Sequence, residues 1–256
     1  MGRLLALFYG IFCYLVFLAT FLYAIAFVGG IGVPVSLDSE PSGPFGEALL
    51  IDAILLGVFA VQHSVMARPA FKRWWTRWVP EPVERSTYVL FASLALILLF
   101  WQWRPLGGAV WQVDNEIGRA VLWALFTLGF LDVLICTFLI DHFELFGLRQ
   151  VYAHFKGKPM PPVNFVEPWL YKYVRHPMMI GFFFAFWATP HMTLAHLIFA
   201  IATTAYILIA LQLEEHDLAA SIGEPYRDYQ RRVRMLVPLP RKAAEPAISQ
   251  IPAGQR

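Results

Sequence analysis

The stretch Tyr173-Val174-Arg175-His176-Pro177-Met178-Met179-Ile180-Gly181 sets a guanidinium and an imidazole directly before a proline, at the mouth of an apolar segment. Beyond the apolar hairpin that follows, the chain answers with Glu214-Glu215-His216-Asp217. A proline suits the first turn of a helix, so Arg175 and His176 stand beside free backbone N–H groups and the positive end of the helix dipole. Arginine offers a rigid fork of donors that matches a carboxylate. Glu214 and Glu215 are acceptors suited to ribose hydroxyls or a cationic amine. Together these groups suit a zwitterionic small molecule. The plainer reading makes Arg175 a membrane-surface anchor with Glu215 as its surface salt-bridge partner, and spacing alone does not choose between the two.

These residues lie in a chain that reads as membrane. Of its 256 residues, 58% are hydrophobic, 16% aromatic and only 15% charged, with a mean hydropathy of +0.56. A soluble domain is nearer 45–50% apolar with about 25% charge. The net charge of +2 is too small to point to nucleic acid. Cys13 and Cys136 both sit in apolar runs, which argues against a disulfide framework. The seven histidines are scattered, with no His-Glu-x-x-His and no paired cysteines, so no metal is expected. Glycine motifs of the soluble nucleotide folds are absent too.

The expected fold class is all-α: a polytopic transmembrane helical bundle of about five or six membrane helices with a cytoplasmic C-terminal cofactor-binding segment. Apolar runs at Leu4–Val28, Ala48–Val65, Tyr88–Trp103 and Val121–Ile140 approach the roughly 20 residues of a spanning helix. The first is too long for a signal peptide. Met178–Ala188 and Thr193–Leu213 form a hairpin turning at Thr189-Pro190-His191. Its first arm is short for a span and is expected to be tilted or re-entrant. Residues 1–140 thus form a four-helix membrane region and 141–177 a cytoplasmic active-site linker. Residues 178–244 form the cofactor-binding hairpin and tail, and 245–256 a disordered end.

Eighteen of the twenty Lys and Arg residues cluster at Arg3, 68–85, 149–175 and from Arg227 onward. With six crossings all four groups fall on one side, which the positive-inside rule makes cytoplasmic along with both termini. Only Arg104 and Arg119 face out. The Trp74, Trp75 and Trp78 cluster with its basic neighbours reads as interfacial anchoring on anionic membrane lipid.

Arg175-His176-Pro177, Gly181, Glu214-Glu215 and the tail Gly223-Glu224-Pro225-Tyr226-Arg227-Asp228-Tyr229 with Val237-Pro238 resemble the isoprenylcysteine carboxyl methyltransferase superfamily. These are integral-membrane enzymes that use S-adenosylmethionine. The resemblance covers roughly residues 165–240 and implies a cofactor site at Arg175, His176, Pro177, Met179, Gly181, Glu214, Glu215, Tyr226 and Tyr229. Met179 stands where that family usually has tyrosine, which argues against simple transfer of the prenylcysteine substrate. Upstream, three further stretches resemble a narrower branch, the bacterial methanethiol S-methyltransferases and their denitrification-associated relatives. They are Gln62-His63-Ser64-Val65-Met66-Ala67-Arg68-Pro69, Glu84-Arg85-Ser86-Thr87-Tyr88 and Asp141-His142-Phe143-Glu144-Leu145-Phe146-Gly147-Leu148-Arg149-Gln150. That resemblance implies methyl transfer from S-adenosylmethionine to methanethiol, giving dimethyl sulfide, in a bacterial inner membrane.

Such a displacement needs thiol sulfur and methyl carbon aligned at about 3–3.5 Å, and it needs the thiolate; even cysteine has a pKa of about 8.5. His142 is the candidate base, with Asp141 or Glu144 orienting the ring. Arg149 or Arg175 would stabilise the anion. The alternative makes His142 a cap on the fourth span. His63, Glu144 and Gln150 are candidates to line the substrate pocket, His63 being otherwise a packed interfacial residue. Tyr226 and Tyr229 share a helical face, either against the cofactor or as interfacial anchors. Asp132 lies inside the fourth span without a partner in sequence, a placement that is expensive in lipid. His191 and His196 read as structural. Other acceptors, a prenylcysteine carboxylate or a lipid amine, and a transporter using Asp132, His142 and Glu215 as an ion path, are the competing readings.

Overall fold

The computed structural model describes residues 2–41, 43–160 and 165–238. The tail expected from Glu245 onward lies outside the described residues. The first half contains α1 (Arg3–Gly29), α2 (Phe45–Ala67), α3 (Pro69–Trp75), α4 (Glu81–Gln102), β1 (Ala109–Gln112) and α5 (Glu116–Ile140). Then come α6 (His142–Leu145), α7 (Leu148–Lys156), a 3₁₀ turn (Trp169–Lys172) and α8 (Pro177–Trp187). The chain finishes with β2 (His191–Thr193), α9 (Leu194–Ile222) and α10 (Glu224–Arg232). Five of these helices, α1, α2, α4, α5 and α9, are long and apolar enough to cross a membrane. The protein is a polytopic all-α membrane protein, as expected.

Local chemistry sets the ends. α1 stops at Gly30, whose positive φ of 64° lets its N–H return to Ala26 O. α5 is capped by Asn115, whose side chain accepts from Gly118 N at 2.9 Å. Proline opens α4, α8 and α10, where its missing N–H costs nothing. Two helices outrun their apolar stretches by about two turns. α4 begins at Glu81 rather than near Tyr88, and α9 continues to Ile222 through Glu214-Glu215-His216-Asp217. The apolar run marks the membrane, and the helix continues beyond it because these residues are adequate helix formers.

α8 has 11 residues, about 16 Å at the usual rise, or roughly half of a ~30 Å hydrocarbon core. It packs on α5 through small residues. A methyl group placed on Gly129 would stand 2.6 Å from both Ala185 N and Gly181 O, and one on Gly181 would stand 2.6 Å from Asp132 Oδ2. Such small-residue contacts are how helices approach closely in lipid. The half-length helix is thereby held against a full-length neighbour, and its N-terminus is recessed among other elements.

The chain links divide between two ends. At the ribbon end, β1 pairs antiparallel with β2. Asp38, from the α1–α2 link, accepts from Thr193 N and Oγ1 at 3.2 and 2.8 Å and bonds His196 Nδ1 at 2.9 Å. At the site end lie α3, residues 141–160 and 165–176, and α10. Between them the main core joins Phe27, Leu99, Trp103, Phe126, Phe130 and Phe199. Phe8, Phe12, Leu50, Ile54 and Val61 of α1 and α2 are exposed, as lipid-facing side chains are.

Candidate functional site

Arg175 and Glu215 are the centre of the site end. Their side chains are each 7% exposed, and a buried charge has to be paired and hydrogen-bonded. Arg175 Nε donates to Glu215 Oε1 at 2.8 Å and Nη2 to Oε2 at 2.9 Å. His176 Nε2 stands 2.7 Å from Oε1. Tyr226 Oη donates to Oε1 at 2.9 Å and Gln230 Nε2 to Oε2 at 2.6 Å. Five donors thus saturate one carboxylate. Arg175 uses its remaining Nη1 on the carbonyls of Val233 (2.5 Å) and Gln230 (3.3 Å). The surface salt bridge weighed from the sequence is therefore a buried, multiply bonded one.

The backbone closes the same centre. Arg175 N donates to Arg234 O and His176 N to Met235 O, at 2.9 and 3.1 Å, so the segment before α8 and the chain after α10 run side by side. Pro177 is buried at the first position of α8, and Met179 N bonds back to His176 O at 3.2 Å. Gly181 lies one turn further, in the close approach to α5. Tyr226 and Tyr229 are buried with Val233, packed by Phe165, and Tyr229 Oη donates to Tyr171 O at 2.5 Å. Burial, and for Tyr226 also its bond to Glu215, holds these phenols well above their ordinary pKa. They act as neutral donors.

An open cleft of about 510 Å³, within the range of small-molecule sites, lies over this centre, lined by Arg175, Gln212, Glu215, Arg227, Gln230 and Met235 among others. Neither Tyr226 nor Tyr229 lines it. Glu214, next to the saturated Glu215, keeps a 49% exposed carboxylate with His176 Nδ1 3.9 Å away. Of the two glutamates it is Glu214 that retains free acceptor capacity.

The Asp141–Gln150 stretch forms a second group. Asp141 has a φ of 139°, a strained backbone for a residue other than glycine. It caps α6 through Glu144 N at 3.0 Å. Arg149 Nη1 binds Asp141 Oδ2 and, at 3.2 Å, Glu144 Oε2. Gln150 Nε2 donates to Glu144 O at 3.0 Å. His142 is oriented otherwise than expected: its partners are Thr137 and Tyr14, not Asp141 or Glu144. Thr137 Oγ1 spends its proton on Leu134 O at 2.6 Å, so His142 Nδ1–H donates to that oxygen at 2.8 Å. Nε2 then accepts from Tyr14 Oη at 2.9 Å. Asp141 is turned away because it is already the cap and the arginine's partner. The ring stacks on Phe138 at 4.2 Å, and burial lowers its pKa, so it is neutral at neutral pH.

His63 forms a third group, stacked on Phe59 and bonded to Tyr88 Oη at 3.0 Å. The next residue of α2, Ser64, bonds Tyr206 at 3.1 Å, and Arg68, just past the end of α2, pairs with Asp217 at 3.0 Å, tying α2 to α9. Among the described residues no hydrogen bond or ion pair joins the three groups, but two bridges connect them. Phe146 lies 4.9 Å from the His142 ring and packs on the Met66–Tyr88–Val89 cluster. Glu214 is within electrostatic range of both Tyr88 and Tyr171.

Tyr14, Thr137, Gln230 and Tyr171 were invisible to sequence reasoning as site residues, because their partners lie on distant elements. No His/Cys/Asp/Glu group suited to a metal occurs among the described residues. Asp132 Oδ1 accepts from Cys136 Sγ at 3.7 Å, and its Oδ2 has no partner among the described residues.

The fold and site define a helical membrane protein with a buried Arg–Glu–His centre that joins a half-length helix to its C-terminal tail. The chain belongs to the NnrU protein family, which it matches over residues 50–238. It is 57% identical over 242 residues to a methanethiol S-methyltransferase of Mycobacterium tuberculosis, covering 94% of this chain and 99% of that one. It is 56% identical to another from Crocosphaera subtropica, with 93% of each covered. It is also 31% identical to Nurim of Mus musculus, over 67% of this chain and 68% of that protein. No solved structure matches the chain.

Proposed function

We propose that this protein methylates methanethiol to dimethyl sulfide, with S-adenosylmethionine as donor, at the Arg175–Glu215 end of the bundle. The observation that carries the reading is the near-full-length likeness to the mycobacterial enzyme. It extends through all three polar groups of the site end. The cleft over Arg175 supports the donor assignment: Arg175, Gln212, Arg227 and Gln230 line it, and the half-exposed Glu214 carboxylate, one residue before the lining residue Glu215, stands 3.9 Å from His176 Nδ1 beside it. Glu214, rather than the saturated Glu215, would accept from the donor's amine or ribose hydroxyls. Glu215 would hold Arg175, His176, Tyr226 and Gln230 in place.

The donor supplies an electrophilic methyl group on a sulfonium. The chain must present the thiol in line with it and remove the thiol proton. His142 is the base in this reading. Its Nε2 carries a lone pair directed at Tyr14 Oη, so the phenol passes its proton to Nε2 as its own oxygen accepts one from the thiol side. Burial lowers the His142 pKa, which keeps the base unprotonated at neutral pH. Arg149 is held by Asp141 and Glu144 and serves the shape of the α6–α7 turn. His63 and the Phe17–Phe146 stack, with ring centroids 3.8 Å apart, would form the small-thiol pocket.

Of the described Lys and Arg residues, all but Arg104 and Arg119 gather at the site end. The positive-inside rule then sets that end, with both termini, on the cytoplasmic side of a bacterial inner membrane. The protein in detergent, given S-adenosylmethionine and either methanethiol or a prenylated cysteine, tests the acceptor. The expected result is methyl transfer to methanethiol alone; transfer only to the prenylated cysteine would reject it.

A further inference from the structure

The stretch Glu84-Arg85-Ser86-Thr87-Tyr88 takes no part in the donor cleft, yet it brings to the bundle a partly buried cation with no ion-pair partner among the described residues. Arg85 Cζ stands 5.7 Å over the Tyr88 ring, whose hydroxyl bonds His63 at 3.0 Å. Arg85 Nε is buried and has no hydrogen-bond partner among the described residues. A buried donor without an acceptor is costly, and a native protein that keeps one has commonly reserved it for a water or a ligand.

The charges around it do not supply that acceptor. Arg68, within range of Lys72 and Tyr88, holds Asp217. Glu84 is the anion in the surroundings of Lys72, whose pKa burial and then Arg85 depress. Glu214 approaches from the α9 side, within range of Tyr88. Among the described residues Arg85 itself has no ion-pair partner, and it shares its surroundings with a second cation, Lys72. A lone guanidinium beside an aromatic face and a histidine is a site for a small, soft anion.

We propose that Arg85 anchors an anion site beside the Tyr88–His63 pair, and that in the proposed reaction this site holds methanethiolate. The second clause rests on the functional reading above; the first does not. In the reaction the thiol S–H bond breaks and its proton leaves to the base. The sulfur pair then forms the new C–S bond as the sulfonium C–S bond breaks, leaving two neutral thioethers and one released proton. Arg85 stabilises the sulfur anion before that displacement and is not consumed.

The test uses the full-length protein in detergent with Arg85→Gln and Arg85→Lys. Two measurements are made: thiocyanate binding by tryptophan fluorescence, and methanethiol turnover at saturating S-adenosylmethionine over pH 6–9. For the parent we expect saturable thiocyanate binding, weakened about tenfold or more in Arg85→Gln and less in Arg85→Lys. The KM for methanethiol should rise by a similar factor in Arg85→Gln, with its pH profile displaced upward and S-adenosylmethionine affinity unchanged. Equal thiocyanate binding by parent and Arg85→Gln overturns the site. Thiocyanate binding that depends on Arg85, in a parent that turns over no methanethiol, upholds the anion site and rejects the thiol reading alone.

Discussion

Arg175 grips both carboxylate oxygens of Glu215 across 40 residues of chain, at 2.8 and 2.9 Å, and the same glutamate receives His176, Tyr226 and Gln230. One carboxylate therefore fastens the mouth of α8 to α9 and to the tail. Glu215→Ala strands a buried guanidinium, an imbalance that costs about 3–5 kcal/mol. Thermal unfolding in detergent should show a fall of that order, with proteolysis near residues 223–235 appearing first. Arg175→Ala should do the same, and the double variant should lose less than the sum of the two. Additive losses would mean that the pair is not coupled.

Glu214 is set apart from its neighbour by exposure. Glu214→Gln should leave unfolding within about 0.5 kcal/mol of the parent, as for an ordinary surface change, while weakening S-adenosylmethionine binding in calorimetry. A variant that binds the donor as the parent does would remove Glu214 from the cleft's function.

Gly181 stands between α8 and α5, where an added methyl meets Asp132 Oδ2 at 2.6 Å and Gly129 O at 2.7 Å. Gly181→Ala forces that contact apart and should cost about 1–3 kcal/mol. Gly57→Ala, with nothing within 4 Å of the new methyl, is the neutral comparison. Equal melting temperatures for the two would refute close α5–α8 packing.

Burial lowers the His142 pKa, and the sign of the linkage follows. The unfolded chain takes up this proton as pH falls below about 6.5, whereas the folded state resists it. Stability from this group is complete above that pH and declines below it. His142→Gln should flatten that part of the stability profile at mildly acidic pH and depress turnover. Tyr14→Phe leaves the ring in place but removes the hydroxyl on Nε2, at about 1 kcal/mol. Full turnover in both variants would exclude the pair from proton transfer.

At the ribbon end, burial alone would raise the Asp38 carboxyl, but hydrogen bonds and charge from His196, with Thr193, lower it below the ordinary range. Stability from Asp38 is present above the unfolded value of about 3.9 and is lost as pH falls through the lower folded one. Asp38→Asn should melt earlier at neutral pH and lose less than the parent on acidification.

Hydropathy made the five long helices legible, along with the shortness of the arm after Pro177, because lipid imposes length and composition directly. It did not show that α4 starts at Glu81 or that α9 carries Glu214 and Glu215 inside a helix, since these turns lie outside the apolar window. Arg175 and the two glutamates were legible as chemistry, but their division into one saturated and one half-exposed carboxylate depends on Gln230 and Tyr226 folding back. The orientation of His142 was misread because Asp141 is its neighbour in sequence. Its actual partner, Tyr14, is 128 positions away, and no periodicity links the two. Gly181 entered by resemblance as a cofactor residue, and the structure places it in a helix contact.

The first measurement to make is headspace detection of dimethyl sulfide from the purified protein given S-adenosylmethionine and methanethiol, with Glu214→Gln run alongside. Dimethyl sulfide from the parent, with a raised requirement for S-adenosylmethionine in the variant, is the expected result. A folded parent that binds S-adenosylmethionine but yields no dimethyl sulfide would overturn the proposed reaction.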